Sequence, residues 1–226
     1  MKTDNIVITI GRQAGSGGSM TGKAISERFG FNYIDKQFLV KAAEKLNNSK
    51  ERLELVDEKS PLWAALAQNV MNDTPYIVSE AYYVPTSTQL FNTQTQIMKE
   101  AAEQAPCVII GRCASHLFRN YPKHVSIFLQ ADMESRMERL ERTLNRPVNS
   151  EKYRKHLEKE DKERARYYNK FTGKKWLDLT EYDFVLDTTH FTDEQIKNII
   201  FNYIMMRFPE LKIENSKNRE THFPIR

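Results

Sequence analysis

The amino-acid sequence predicts an α/β protein built on a mostly parallel sheet. Three observations carry that expectation: short, wholly apolar runs at Ile6 to Ile10, Cys107 to Ile110 and Val125 to Leu129; long stretches of helical periodicity between and after them; and a glycine-rich turn joining the first run to a helix. Continuous apolar runs of four or five residues suit strands buried on both faces, as parallel strands are. A fourth strand is expected at Phe184 to Leu186. It follows Asp183 and precedes Thr192-Asp193-Glu194-Gln195, which has the spacing of a helix-capping box.

The elements follow in order. After the first strand come Gly11-Arg12-Gln13-Ala14-Gly15-Ser16-Gly17-Gly18-Ser19 and then a helical pattern from Met20 to Phe29, closed by Gly30. Residues 36–104 contain no convincing strand and read as a helical insertion with breaks near Asn47-Asn48, Ser60-Pro61, Asp73-Thr74-Pro75 and Pro85. Asp132 and Glu134 open the helix after the strand at 125–129, where acidic side chains suit the helix dipole. Ile196, Ile199, Ile200, Tyr203 and Ile204 form an apolar stripe on the last helix. One domain over 1–210 is expected, with the insertion at 36–104, a basic segment at 145–178 and a polar tail at 211–226.

The 226 residues carry a formal net charge of +4, which fits an anionic small molecule as well as nucleic acid. No run of 18 apolar residues occurs, and the N-terminal apolar stretch is too short for a secretion signal, so a cytoplasmic protein without membrane partners is expected. Two cysteines, Cys107 and Cys113, have neither disulfide-framework nor zinc-ligand spacing. The five histidines are far apart and form no ligand pattern, so no structural metal is expected.

The strand–loop–helix at 6–29 is the strongest functional signal. Gly15, Gly17 and Gly18 allow positive φ and close backbone approach, and the helix start offers free amides and the positive end of its dipole to an anion. An ordinary glycine-rich turn is the alternative. A literal phosphate-loop pattern can be read from Gly17 to Lys23, but a phosphate loop begins where its strand ends, so the register starts at Arg12. In that register Gly18 stands where a lysine usually neutralises phosphate charge, and Ser19 where a serine or threonine faces magnesium. Arg12 and Lys23 are the nearest cations in sequence. Lys23 reads equally as a solvated helix residue.

Residues 139–175 hold thirteen Lys/Arg against six Asp/Glu. Lys159, Lys162, Arg166 and Lys170 recur at helical spacing, with Arg164 on a neighbouring face. Such a stripe can close over phosphates. The alternative is a solvated face laced with Glu151/Lys155, Glu158/Lys162 and Glu160/Arg164 pairs. Tyr167, Tyr168 and Trp176 read first as packing residues. Asp187, at the end of the last strand, could face ligand or cap its turn, and Asp57 and Glu58 could touch substrate or solvate a helix end.

The segment from Ile8 to Asp35 resembles the opening of cytidylate kinases, and more closely the cytidylate kinase-like family whose loops read Gly-Ser-Gly-Gly. Val108 to Ala114 and Asp161 to Tyr168, with Thr172 to Trp176 and Tyr182-Asp183, are similar to further anchors of that family. The resemblance implies a three-layer P-loop NTPase fold with a helical NMP-binding insertion and a helical lid. It implies transfer of a phosphoryl group from ATP, with Mg2+, to a nucleoside monophosphate such as CMP or dCMP. It places Gly15, Ser16, Gly17, Gly18 and Ser19 on the donor phosphates, Ser19 toward magnesium, and Asp35 and Arg112 at the acceptor. Arg12, Arg112 and Arg164 become the catalytic cations, with Arg166 a second lid cation. An aspartate of true cytidylate kinases is replaced here by Cys113, and a thiol cannot supply a charged acceptor to an exocyclic amine. A nucleotide-binding sensor without kinase turnover is the competing expectation, and nucleic-acid binding through 139–175 a third, less favoured one.

Overall fold

The computed structural model describes residues 5–35, 88–145 and 150–211. The helix breaks expected between 47 and 85, Asp57 and Glu58, and all but Leu211 of the polar tail lie outside them.

Five parallel strands form one sheet: β1 (Val7–Arg12), β2 (Asn32–Ile34), β3 (Cys107–Ile110), β4 (His124–Gln130) and β5 (Phe184–Asp187), in the order β2-β3-β1-β4-β5. The helices are α1 (Gly18–Phe29), α2 (Thr88–Gln104), α3 (Ala114–Leu117), α4 (Met133–Leu144), α5 (Ser150–Thr172) and α6 (Asp193–Arg207). The four expected strands are present, and β2 joins them at the sheet edge. β1 lies at the centre, its Val7 paired with Cys107 on one side and His124 on the other.

The sheet is buried on both faces, as its apolar runs require. Against one face, Ile8, Ile10, Val125 and Ile127 pack on Ile25 and Phe29 of α1 and Ile196, Ile200 and Ile204 of α6. Against the other, Val7 and Ile109 meet Ile97 and Met98 of α2 and Phe118 beyond α3. Ile8, Ile10, Ile127 and Phe128 are fully buried, each contributing about 1.5–3 kcal/mol. Phe128 also meets Tyr167, Tyr168, Trp176 and Tyr182, so the aromatics of the basic segment pack into the core.

Helix starts follow local chemistry. Asp132 caps α4 by accepting from Ser135 N at 2.7 Å. Thr192 and Gln195 form a reciprocal capping box on α6. Among the described residues no helix is long and apolar enough to cross a membrane.

Candidate functional site

The turn between β1 and α1 is built to present backbone. Gly15 and Gly17 have φ of 79° and 90°, the left-handed region that glycine enters without a Cβ penalty. Helix α1 begins at Gly18 behind Gly17, with no side-chain cap and no acidic residue in its first turn. Its first amides have no intrahelical acceptor, and the dipole favours negative charge there.

Four consecutive carbonyls of this turn are engaged elsewhere. Ser16 Oγ donates to Gln13 O at 2.9 Å, Arg136 Nε to Ala14 O at 2.6 Å, Arg139 Nη1 to Gly15 O at 3.0 Å, and Thr188 Oγ1 to Ser16 O at 3.1 Å. Their partial negative charge is thereby neutralised by fixed donors, leaving the loop electrostatically suited to an anion. Gln13 Oε1 also accepts from Ala131 N, tying the loop to the end of β4.

Arg136 and Arg139 are only 4% and 6% exposed. Arg136 pairs with Asp161 of α5 at 2.5 Å, and the other Asp161 oxygen accepts from Ala14 N at 2.7 Å. Arg139 reaches Thr188 O and pairs with Asp193 at 3.0 Å. The reading of residues 139–175 as a solvated charge face needs correcting at Arg139, which is a buried part of the loop's scaffold. Sequence reasoning did not single out Arg136, Arg139, Asp161 or Thr188 for this role. One signal was present: Arg136 shares the helix face of Met133, Met137 and Leu140, an apolar stripe in which an arginine needs a buried partner.

The space at the missing lysine is occupied. A Cβ built on Gly18 would lie 2.7 Å from both Cβ and Cγ of Arg12, and one built on Gly111 would lie 2.2 Å from Arg12 Nη1. The Arg12 side chain therefore runs from the first turn of α1 to the turn after β3. Lys23 is exposed on α1. Arg164 stands on the same side: its Nη1 donates to Arg12 O at 3.2 Å and its Nη2 meets Glu160 at 2.6 Å. Burial raises the Glu160 carboxyl, but His156, Arg164 and Arg12 together bring it below its ordinary value.

The turn after β3 is built differently. Gly111, Arg112 and Cys113 have φ of 71°, 57° and 59°, three left-handed residues in a row. For the two that carry a Cβ this costs about 1–2 kcal/mol each. The Arg112 guanidinium carbon lies 5.4 Å from the centre of the Tyr167 ring. Cys113 is buried, and desolvation pushes its thiol up to about 12 against the pull of Arg112. It is a neutral packing group.

Asp35 sits just beyond β2, where Tyr33 donates to its Oδ2, and the same hydroxyl reaches Ser19 O, both at 3.3 Å. The structure thus gathers Arg12, Gly15 to Ser19, Asp35, Arg112 and Arg164 around the carboxyl ends of β1, β2 and β3, where α/β sheets bind ligands. Arg166 is not gathered with them. It lies on the outer face of α5, in an open groove with Lys155, Lys159 and Lys162. Asp187 accepts from Thr189 N and Oγ1, so it caps its turn.

Strand, glycine turn and helix on an all-parallel sheet define an α/β P-loop fold. The profile of the cytidylate kinase-like family matches residues 7–190, and the chain belongs to that family. It is 25% identical over 206 residues to a cytidylate kinase of Methanopyrus kandleri, covering 87% of this chain and 91% of the relative. A cytidylate kinase of Methanocella arvoryzae is 29% identical over 202 residues, covering 88% and 97%. Among solved structures, an uncharacterized protein from Eubacterium ventriosum shares the fold with a TM-score of 0.61 at 23% identity, covering 88% of this chain and 98% of that one. TT1252 from Thermus thermophilus does so at 0.52 and 16% identity, covering 88% and 97%.

Proposed function

We propose that this protein transfers the γ-phosphoryl group of ATP to a nucleoside monophosphate, CMP or dCMP, in the cytoplasm. The observation that carries the proposal is the path of Arg12, which joins the phosphate loop to the Gly111-Arg112 turn. Phosphoryl transfer needs a cation between donor and acceptor phosphates, and a side chain spanning the two turns supplies one.

In this reading the amides from Gly15 to Ser19, with the Ser16 backbone held by its buried hydroxyl, cradle the donor phosphates. Arg112 holds the acceptor's phosphate, Asp35 flanks the acceptor site, and Arg164 adds charge from α5. An acceptor phosphate oxygen forms the new P–O bond as the bond from the γ-phosphorus to the β–γ bridging oxygen breaks, releasing ADP and a nucleoside diphosphate. The attacking oxygen is already ionised, so the chain need not remove a proton. The open first turn of α1, with the part-exposed Ser19 on it, fits nucleotide-bound magnesium. Magnesium, when bound, offsets the charge of the phosphates. Residues 36–104 serve as the acceptor-binding insertion and 145–178 as the lid of one domain spanning 1–210. Arg166 faces outward and reaches nucleotide only after rotation of α5, so its removal has the smallest effect of the four arginines.

The test is ADP release with CMP, dCMP, UMP, AMP and GMP as acceptors. Arg12→Ala is expected to lower turnover by about 10³-fold, the scale of a transition-state arginine. Because Arg12 fills the space beside Gly18, the double substitution R12A/G18K is expected to recover at least tenfold, whereas G18K alone recovers nothing. Absence of acceptor-stimulated ADP at high enzyme concentration overturns the proposal. Calorimetric ATP binding without turnover then supports the second reading, a nucleotide sensor, which Gly18 and Cys113 favour.

A further inference from the structure

Helix α2 carries a polar side chain that the reaction scheme above does not use. Gln94 is fully buried, and Tyr167 of α5 donates to its Oε1 at 3.3 Å. The amide nitrogen, on the other branch of the same group, has no hydrogen-bond partner among the described residues, and neither has the buried Oγ1 of Thr95 beside it. A buried donor left unpaired costs about 1–3 kcal/mol. Natural folds hold few such groups, and each calls for a partner such as a water, an ion or a ligand.

The surroundings indicate which ligand. The Tyr167 hydroxyl meets this amide, and the Arg112 guanidinium carbon lies 5.4 Å from the centre of the same ring. Phe91, three residues before Gln94 on α2, packs against Tyr167 and stacks on Phe171 with ring centres 4.1 Å apart. A cation that suits a phosphate and an unpaired N–H donor that suits a base thus stand on one tyrosine, the first at its ring and the second at its hydroxyl. We propose, resting on the reading of this site as an acceptor site for nucleoside monophosphates, that Gln94 reads the edge of the acceptor base and selects cytosine over uracil.

The selection follows from donor and acceptor patterns. Cytosine presents an acceptor at N3, which an N–H of Gln94 Nε2 matches. Uracil carries a hydrogen on N3 and sets donor against donor. The Gln94 carbonyl accepts from Tyr167, which leaves the amide's N–H groups for the base. Sites that hydrogen-bond a substrate discriminate strongly because the wrong partner leaves a buried group unpaired. The task falls to Gln94 because Cys113, a neutral buried thiol, cannot perform it.

The test is calorimetric binding of CMP and UMP, which does not depend on turnover. The wild-type protein is expected to bind CMP at least tenfold more tightly than UMP. Gln94→Leu is expected to bring the two affinities within about twofold. Gln94→Glu, which replaces the donor with an acceptor at nearly constant shape, is expected to invert the order toward UMP. A thermal melt verifies that each variant is folded, and Q94E stands in if Q94L is not. Equal affinities in the wild type, binding of neither nucleotide, or a CMP preference unchanged in the folded variant overturns the inference. Phosphorylation of some other monophosphate in the acceptor screen would leave phosphoryl transfer to a nucleoside monophosphate standing without cytosine selection, whereas a screen with no turnover removes that transfer independently.

Discussion

The turns that follow β1 and β3 lie side by side at one end of the sheet and are built on opposite principles. After β1 the left-handed positions are glycines, Gly15 and Gly17, and the carbonyls are bound from behind by Ser16, Arg136, Arg139 and Thr188. After β3 the left-handed run includes Arg112 and Cys113. The left-handed positions of the first turn carry no side chain to aim and cost little conformational energy. The second accepts strain of about 1–2 kcal/mol per residue to hold one side chain in place. In the proposed function the first loop recognises phosphate through amides and can be relaxed, whereas the second directs a guanidinium and is strained.

The largest test of this contrast removes the support behind the first turn. Asp161→Asn leaves Arg136 without its buried partner and is expected to cost about 3–5 kcal/mol in urea unfolding, with ATP affinity falling alongside. A loss under 1 kcal/mol would show that the loop keeps its shape unaided. Acid should affect both turns alike, through the sheet beneath them. His124 is buried at the start of β4, 2.8 Å from Thr9 Oγ1, and burial lowers its pKa from 6.5 to about 4 despite the attraction of Asp183. The unfolded chain then binds a proton that the folded one refuses. Stability is full above pH 6.5 and declines toward pH 4 by on the order of 3 kcal/mol. His124→Gln should flatten that slope in pH-dependent melts.

Smaller effects separate the turns themselves. Gly17→Ala forces a Cβ into left-handed φ and is expected to cost about 1–2 kcal/mol while weakening ATP binding. Arg112→Gly should do the reverse for stability, leaving it unchanged or raising it by up to about 1 kcal/mol, because the strain is relieved. Acceptor-dependent turnover should nevertheless fall by at least 100-fold. A destabilised R112G would mean that the run is held by something other than the need to place Arg112.

Periodicity made most of this framework legible. Cys107–Ile110 coincides with the expected strand, the other three strands differ by one or two residues at their ends, and the capping box at Thr192 is formed. The strand end and the helix start that frame the glycine turn were readable, with β1 ending at Arg12 and α1 starting at Gly18. The scaffold behind the loop was not. Arg136, Arg139 and Asp161 are charged residues in charge-rich helices, and only the docking of α5 on α4 turns them from solvated groups into a buried network. Gln94 was hidden for a related reason. A glutamine within a long helix has no local feature that reveals burial, which here comes from an aromatic cluster on α5 some seventy residues later in the chain.

The central position of β1 has a consequence for assembly. Val7 pairs with Cys107 and His124, so the strand that carries the phosphate loop finds both neighbours only in the second half of the first 130 residues. Pairing across such separations raises contact order and slows folding. The intervening insertion adds little to that cost, because closure entropy grows only with the logarithm of loop length. During synthesis the loop's own strand and helix leave the ribosome before β3 and β4, and lack a sheet until those follow. The turn between β1 and α1 is thus encoded ahead of the strands that complete its sheet, and takes its place only when they pair.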